Sequence, residues 1–134
     1  MLKQILVALL AAFALASTVQ ADELEDMKKM LHETCQKEIK ADEGLIGRAQ
    51  KGDFVEDPKL KDYMKCVFTQ LAVMNEAGEM DYDMMMSMMP DEIKVQGQKV
   101  VADCRGTTGE TPGDVAMNFN KCFFKSQPSI YFLI

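Results

Sequence analysis

Four cysteines constrain the fold of this chain more than any other feature of its sequence. They lie 31, 38 and 18 positions apart, at Cys35, Cys66, Cys104 and Cys122. An even number of cysteines in an exported chain predicts disulfide bonds, two in this case, although spacing alone leaves all three pairings open. A structural zinc site is disfavoured because the chain contains no C-x-x-C pair. By loop-closure entropy, each disulfide should add roughly 3–4 kcal/mol to the stability of a small domain.

The N-terminus has the pattern of a secretory signal peptide. Lys3 supplies a positive charge, the residues from Ile5 to Ala16 are all apolar, and Val19 and Ala21 fit the −3 and −1 positions of a cleavage site. The apolar run is shorter than the roughly 20 residues that a membrane-spanning helix needs. We therefore expect residues 1–21 to be removed and the mature chain, residues 22–134, to be secreted into the extracellular fluid.

The charge balance excludes several classes of protein. Lys and Arg number 15 against 21 Asp and Glu, which gives a net charge of −6. Such a chain lacks the basic surface that nucleic acids and anionic membranes require. Its single histidine, His32, makes catalytic triads and multi-histidine metal sites hard to assemble, and we interpret it as a solvent-facing side chain. No other catalytic pattern is present, so we predict neither an enzyme nor a bound cofactor or metal.

Apolar residues recur at steps of three and four along most of the mature chain, which is the period of amphipathic helices. The first such helix carries Leu24, Met27, Met30, Leu31, Cys35 and Ile39. No segment has the two-residue alternation of a half-buried strand. We therefore predict one all-α compact domain over residues 22–134, with five to six short helices around an apolar cavity and two disulfides.

Acidic residues placed before apolar segments predict where the later helices begin, because a carboxylate accepts hydrogen bonds from the first free N–H groups. The predicted N-caps are Asp42, Asp57, Asp81 or Asp83, and Asp114. Pro58 strengthens the second of these signals because proline suits the first helical position. We expect the helix that begins there to end near residues 75–78.

The chain ends in an unusually apolar segment. Pro128 breaks the last helix, and the final five residues are Ile130, Tyr131, Phe132, Leu133 and Ile134. A free end of this kind would promote aggregation. We therefore expect the tail, residues 127–134, to pack on the helical body and to form an aromatic-walled apolar region with the last helix.

Methionines are concentrated in one short segment, at Met80, Met84, Met85, Met86, Met88 and Met89. Three interpretations stay open. The side chains fill the core, they form a deformable apolar wall that adapts to ligands, or they bind a soft metal such as Cu(I). The third interpretation uses the one-turn pairs Met85/Met88 and Met86/Met89, but no histidine or free cysteine lies nearby in the sequence.

The cysteine pattern resembles that of insect odorant-binding proteins of the pheromone-binding and general odorant-binding type. That family has six cysteines, with three residues between the second and third and eight between the fifth and sixth. The first, third, fourth and sixth match Cys35, Cys66 in Tyr63-Met64-Lys65-Cys66, Cys104, and Cys122 in Asn120-Lys121-Cys122-Phe123. Counting back places the second position at Asp62 and the fifth at Gly113.

The resemblance implies both a disulfide pairing and a function. The second and fifth cysteines of the family bond each other, so this chain lacks both halves of one bridge, as in the minus-C subgroup. The implied pairs are Cys35–Cys66 and Cys104–Cys122. The implied function is a secreted carrier, active in olfaction or another transport role, that holds a small hydrophobic organic ligand in its cavity. A membrane receptor and a homodimer are left open as partners.

Helix-face positions predict which residues line that cavity. The predicted wall consists of Val67, Leu71, Met74, Met84, Met85, Met88, Val100, Val101, Phe119, Phe123, Phe132 and Tyr131. Tyr131 or Ser129 is the candidate hydroxyl for a polar head group of the ligand. Two alternatives stay open: a secreted interaction or defence protein that uses its apolar tail, and a methionine-rich metal-binding protein.

Overall fold

The computed structural model describes residues 22–134, which form six α-helices and one short 3₁₀ turn. The signal-peptide prediction concerns residues 1–21 and lies outside the described residues. Helix α1 occupies 22–39, and the others are α2 (Glu43–Gln50), α3 (Pro58–Gln70), α4 (Tyr82–Ser87), the 3₁₀ turn (Asp91–Ile93), α5 (Lys94–Cys104) and α6 (Pro112–Ser126). The all-α prediction is confirmed.

Helix starts follow the local capping chemistry. The carboxylates of Asp42, Asp57 and Asp81 each accept a hydrogen bond from the backbone N–H three residues later, as predicted. The prediction that Asp114 caps α6 is wrong. Thr111 is the N-cap, and it forms a reciprocal capping box with Asp114, which lies at the third helical position. The sequence Thr111-Pro112 therefore starts α6 three residues earlier than predicted.

Helix α3 is shorter than predicted because the chain reverses directly after it. The helix ends at Gln70, and Ala72 adopts a left-handed conformation with φ of 58°. The N–H of Ala72 donates to Thr69 O and that of Val73 to Phe68 O, which is the Schellman arrangement. A small loop follows, closed by an isolated antiparallel bridge between Met74 and Met80.

Two disulfides crosslink the helices. Cys35–Cys66 joins α1 to α3, and Cys104–Cys122 joins α5 to α6, with Cα–Cα distances of 5.7 and 5.8 Å. Both implied pairs are confirmed, and no cysteine of the described chain is free.

The buried side chains form two groups that share helix α6. The first core lies between α1, α2, α3 and α6, and its largest fully buried side chains include Tyr63, Leu60, Met64 and Met117. The second core lies between α4, α5 and α6 and contains Val100, Val101, Cys104, Phe119 and Phe123, with Val73 and Met85. Phe68, Leu71, Met80 and Tyr131 pack against both groups.

The C-terminal tail lies against the helical body. Leu133 is buried within the first core, and its carbonyl accepts a hydrogen bond of 3.1 Å from Gln50 Nε2. The hydroxyl of Tyr63 donates to the carbonyl of Ile134. These contacts fasten the end of the tail to α2 and α3.

Candidate functional site

An apolar cavity of about 110 Å³ lies between α3, the α4–α5 segment, α6 and the tail. Apart from one asparagine, the side chains of its wall are hydrocarbon or thioether. The lining residues are Val67, Phe68, Leu71, Val73, Met85, Met88, Met89, Pro90, Ile93, Phe119, Asn120, Phe123, Phe132, Leu133 and Ile134. Such a wall favours an apolar occupant because it offers few hydrogen bonds to water.

Each element presents one face to this cavity. The last turn of α3 and the loop after it supply one side, and α6 supplies Phe119, Asn120 and Phe123 on adjacent positions of a single helical face. The α4–α5 segment supplies a further side, and the tail supplies the last one with Phe132, Leu133 and Ile134. Within the described residues, packing and the hydrogen bonds to the tail carbonyls hold this side of the cavity in place.

The structure brings part of the predicted wall together. The predicted residues that line the cavity are Val67, Leu71, Met85, Met88, Phe119, Phe123 and Phe132. Met74, Val100 and Val101 are buried elsewhere, in the first core or the second, and Met84 is 39% exposed on the outer side of α4. Tyr131 contacts the cavity wall through Asn120 and Phe123 but is not itself part of it. Ligand contact by any of the twelve stays a prediction.

The displaced residues have identifiable causes. Met74 was placed by extending α3 to residues 75–78, but the reversal at Ala72 puts it in the loop. Val100 and Val101 do lie on the inner face of α5, but that face packs into the second core around Cys104. The hydroxyl of Ser129, the other candidate polar contact, is in an exposed residue outside the cavity wall.

Sequence reasoning missed several wall residues: Phe68, Val73, Met89, Pro90, Ile93, Asn120, Leu133 and Ile134. The packing expected of the apolar tail already pointed to its last two residues. Pro90 and Ile93 belong to the irregular segment around the 3₁₀ turn, where helical periodicity gives no signal. Asn120 directly follows the predicted wall residue Phe119, so its position in the sequence pointed to the cavity. It was missed because the prediction of the wall considered apolar residues only.

Aromatic side chains connect α6 to the tail. The ring of Phe123 lies 5.2 Å from that of Tyr131 and 6.4 Å from that of Phe132, both edge to face. Phe119 contacts Phe68 across the cavity wall in the same geometry, with centroids 5.8 Å apart. Such pairs are favourable beyond their buried area. Aromatic contacts therefore link the last helix to the tail.

Two partly exposed side chains lie at the mouth of the cavity. Met88 is 46% exposed and Phe132 is 52% exposed, although both also line its interior. The ammonium of Lys28 lies 5.8 Å from the centroid of the Phe132 ring, within the range of a cation–π contact. Outward movement of these two partly exposed side chains would widen the opening of the cavity.

His32 is not the solvent-facing side chain that the sequence predicted. Its side chain is 32% exposed and lies between Glu43, 2.9 Å from Nε2, and Tyr63, whose oxygen is 2.7 Å from Nδ1. The Tyr63 hydroxyl donates to the carbonyl of Ile134, so its oxygen is free to accept from His32. Burial raises the pKa of Tyr63 and keeps this hydroxyl a donor to the tail.

A larger concavity, about 800 Å³, is an open groove beside the loop after α3. Its wall includes Glu76, Glu79, Asp81, Asp83 and Arg105, and it is open to water. The smaller cavity is the better candidate site because its side chains are apolar and it is less open to solvent than the groove. Within residues 22–134 no three His, Cys, Asp or Glu side chains converge on a point that could hold a metal ion.

The fold and the cavity together define a class of protein: a disulfide-crosslinked helical binding protein with an enclosed apolar cavity. No helix within the described part of the chain is long and apolar enough to cross a membrane. The profile of the PBP/GOBP family matches residues 17–126. The chain belongs to this family of insect odorant-binding proteins, and its four cysteines and two disulfides agree with the minus-C type.

Individual relatives agree with this assignment. The B1 protein of Tenebrio molitor is 34% identical over 130 residues, which cover 91% of this chain and 96% of the relative. Odorant binding protein 5 of Apis mellifera has a TM-score of 0.77 at 28% identity, covering 85% of this chain and 97% of its own. Odorant Binding Protein 7 of Anopheles gambiae, solved with four disulfide bridges and an azo compound, has a TM-score of 0.74 at 26% identity, covering 82% and 90%.

Family membership settles two points of function. The PBP/GOBP family is a family of carriers without catalytic activity, so this chain is not an enzyme. Membership also indicates binding of small hydrophobic ligands, which agrees with the apolar wall of the cavity.

Proposed function

We propose that the mature chain is a secreted carrier that binds odorants, pheromones or similar volatiles in the cavity and transports them through aqueous fluid. The observation that carries the proposal is the apolar cavity between α3, the α4–α5 segment, α6 and the tail. The azo compound bound by the Anopheles gambiae relative supports the binding of small organic molecules by this fold. The signal-peptide pattern of residues 1–21 supports export.

The size of the cavity limits what it holds without rearrangement. An apolar protein cavity of about 150 Å³ is known to bind benzene, and this one measures about 110 Å³. A ligand of about that size therefore fills it, and a larger one requires Met88 and Phe132 to move outward. A ligand that buries roughly 300 Å² of apolar surface gains about 7–8 kcal/mol before ordering costs, so we expect micromolar affinity.

Methionine methyl groups offer a direct test of where a ligand binds. We would label the mature chain with [¹³C-methyl]methionine and titrate it with toluene. The methyl signals of Met85, Met88 and Met89 should shift and saturate near one ligand per chain, because these side chains line the cavity. Met64 and Met117 are buried in the first core and serve as internal controls. Absent or unsaturable shifts, or equal shifts at all five, would contradict the proposal.

A tryptophan reporter gives an independent test because the chain contains no tryptophan. In a Met88→Trp variant the indole lies at the mouth of the cavity, so saturable ligand binding should change its emission. Val95→Trp is the matched control, since Val95 is 76% exposed and outside the cavity wall. Equal responses from both variants would indicate binding to the surface instead of the cavity.

Deleting residues 130–134 separates a carrier from a protein that uses its tail to dock on a partner. The deletion removes Phe132, Leu133 and Ile134 from the wall, so a carrier should lose at least tenfold in affinity for toluene. Phe132→Ser keeps the tail length and its two carbonyl hydrogen bonds, and it serves as a milder control. Unchanged toluene affinity after the deletion would show that the tail does not contribute to ligand binding.

A further inference from the structure

One polar side chain stands out in the apolar cavity. Among the described residues that form the wall, Asn120 alone carries an amide, hydroxyl or charged group on its side chain. It is only 1% exposed to solvent, and it lies on the same face of α6 as Phe119 and Phe123. A buried amide in a hydrocarbon environment is costly unless its hydrogen-bonding groups find partners.

The hydrogen bonds around Asn120 fix the orientation of its amide. Nδ2 lies 2.9 Å from the carbonyl of Ala116, which can only accept, so the amino group must face that carbonyl. Oδ1 therefore faces Tyr131, whose hydroxyl donates to it over 3.1 Å. Burial raises the pKa of Tyr131, so the phenol remains a donor. The tail thus holds the Asn120 amide in one orientation.

These two hydrogen bonds leave part of the hydrogen-bonding capacity of the amide unused. The amino group has two N–H donors and the carbonyl oxygen has two lone pairs. Each of them makes one hydrogen bond within the described chain, to Ala116 and to Tyr131. One N–H and one lone pair are left for an occupant of the cavity, in surroundings where a hydrogen bond faces little competition from water.

We propose that Asn120 is the polar anchor of the cavity and selects ligands that carry one hydrogen-bond-accepting oxygen, such as the carbonyl of an aldehyde, ketone or ester. The inference rests on the proposed carrier function. The N–H left over on Nδ2 donates to the ligand oxygen, and Tyr131 acts as a positioning residue that orients the amide. The hydrocarbon part of the ligand lies against the aromatic and methionine side chains.

A pair of ligands of nearly equal size isolates this contact. Benzaldehyde and toluene differ mainly in the carbonyl oxygen, so the ratio of their affinities reports on the anchor. In the double variant Asn120→Leu/Tyr131→Phe, both hydrogen-bonding partners become apolar groups of similar shape, which is the least disruptive way to remove the pair. The affinity of benzaldehyde relative to toluene should fall about tenfold in this variant, since the buried carbonyl loses its donor.

Asn118→Leu is the matched control. Asn118 lies on the same helix, donates to the carbonyl of Thr108 at the surface and is outside the cavity wall. Its substitution should leave the affinity ratio at the wild-type value. A ratio that changes equally in both variants would overturn the inference, because the effect would then come from α6 as a whole.

The carbonyl stretching band of bound benzaldehyde gives a readout that needs no variant. In the wild-type protein it should lie below its frequency in a hydrocarbon solvent, and the double variant should restore the solvent value. A wild-type band at the hydrocarbon frequency overturns the inference even if the double variant fails to fold. Toluene binding with no carbonyl preference refutes the anchor and leaves the carrier function standing, whereas absence of binding for both ligands refutes both.

Discussion

At the scale of single residues, two helix ends adopt the same geometry with different amino acids. Gly52 after α2 and Ala72 after α3 have φ of 87° and 58°, and both make the paired hydrogen bonds of a Schellman motif. Glycine adopts this conformation freely, whereas the methyl group of alanine is strained there. Ala72 is exposed, so its methyl group contributes little burial in return.

We expect Ala72→Gly to stabilise the protein. Relief of the left-handed strain outweighs the extra chain entropy of glycine in the unfolded state, and the free energy of unfolding should rise by about 0.5–1 kcal/mol. Gly52→Ala is the reverse experiment and should destabilise more strongly, because the new Cβ would lie 2.4 Å from the Phe124 ring. Urea unfolding followed by circular dichroism measures both changes. A loss of stability in Ala72→Gly would contradict the strain argument.

Residue-scale features were predictable where the chemistry is local. The three Asp caps follow from a carboxylate and the next free N–H groups, so the sequence predicts them correctly. The end of α3 was missed because alanine gives no signal for a left-handed residue. His32 was misassigned for another reason: its partners Tyr63 and Glu43 come from other helices, which helix periodicity alone cannot place.

At the scale of helices, a group of ion pairs fastens α3 to the start of α6. Lys61 lies 2.8 Å from Asp114 and 2.6 Å from Glu56, and Lys121 also pairs with Glu56. Hydrogen bonds from Lys61 and Thr111 lower the pKa of Asp114. Hydrogen bonds from Lys121 and Lys61 lower that of Glu56. Both carboxylates are therefore favoured in their charged form in the folded state.

This arrangement predicts a loss of stability in acid. A carboxyl group whose pKa is lower in the folded state stabilises the fold above its unfolded pKa, and that contribution disappears as the pH falls through the folded value. The urea midpoint should therefore fall as the pH drops below the ordinary values of 3.8 and 4.5 for Asp114 and Glu56. Lys61→Met should flatten this part of the profile while it preserves the capping box. If the urea midpoint of that variant falls with pH as steeply as in the wild type, the ion pairs do not cause the loss of stability in acid.

The ion pairs lie beside the positions where the resemblance places the two missing cysteines. A Cβ built on Gly113 would lie 3.3 Å from Oδ1 of Asp62 and 3.2 Å from Cβ of Lys61. The backbones of α3 and α6 are therefore close enough here for a crosslink. In this chain the ion pairs described above link the two helices, and no disulfide does.

We expect the double variant Asp62→Cys/Gly113→Cys to form a third disulfide. The bond closes a loop of about 50 residues and should raise the free energy of unfolding by about 2–4 kcal/mol, less than the loop-closure value because two crosslinks already restrict the unfolded chain. Peptide mapping would establish the pairing, and the urea midpoint would measure the gain against each single variant. A free thiol at either position under oxidising conditions would show that the two helices are held too far apart.

At the scale of the whole molecule, the sequence predicts the framework better than the site. Helical periodicity predicts the all-α fold correctly, and the family resemblance implies the correct pairing of both disulfides. The cavity lies where four separate segments meet, and a small error in the predicted position of any one of them displaces its residues from the wall. The reversal at Ala72 removes Met74 from the phase of α3, and the packing of α5 against α6 takes Val100 and Val101 into the second core.

Because the cavity is small and the exposed side chains of Met88 and Phe132 lie at its mouth, affinity should depend on ligand length in two stages. In a series from benzene to hexylbenzene, each added CH₂ that the cavity of about 110 Å³ still accommodates should improve binding about fourfold, for about 0.8 kcal/mol. Longer ligands must displace Met88 and Phe132 from the mouth, so the gain per CH₂ should then fall towards zero.

The variant Met88→Ala should move this break to longer ligands, because the mouth is wider and less side chain has to be displaced. Val95→Ala, on the exposed side of α5, should leave the break where it is in the wild type. Competition against a fluorescent probe measures the whole series. A constant gain per CH₂ up to hexylbenzene in the wild-type protein would mean that the mouth opens at no cost. The cavity would then be a partly collapsed form of a larger site, with the α4–α5 segment and the tail as its movable walls.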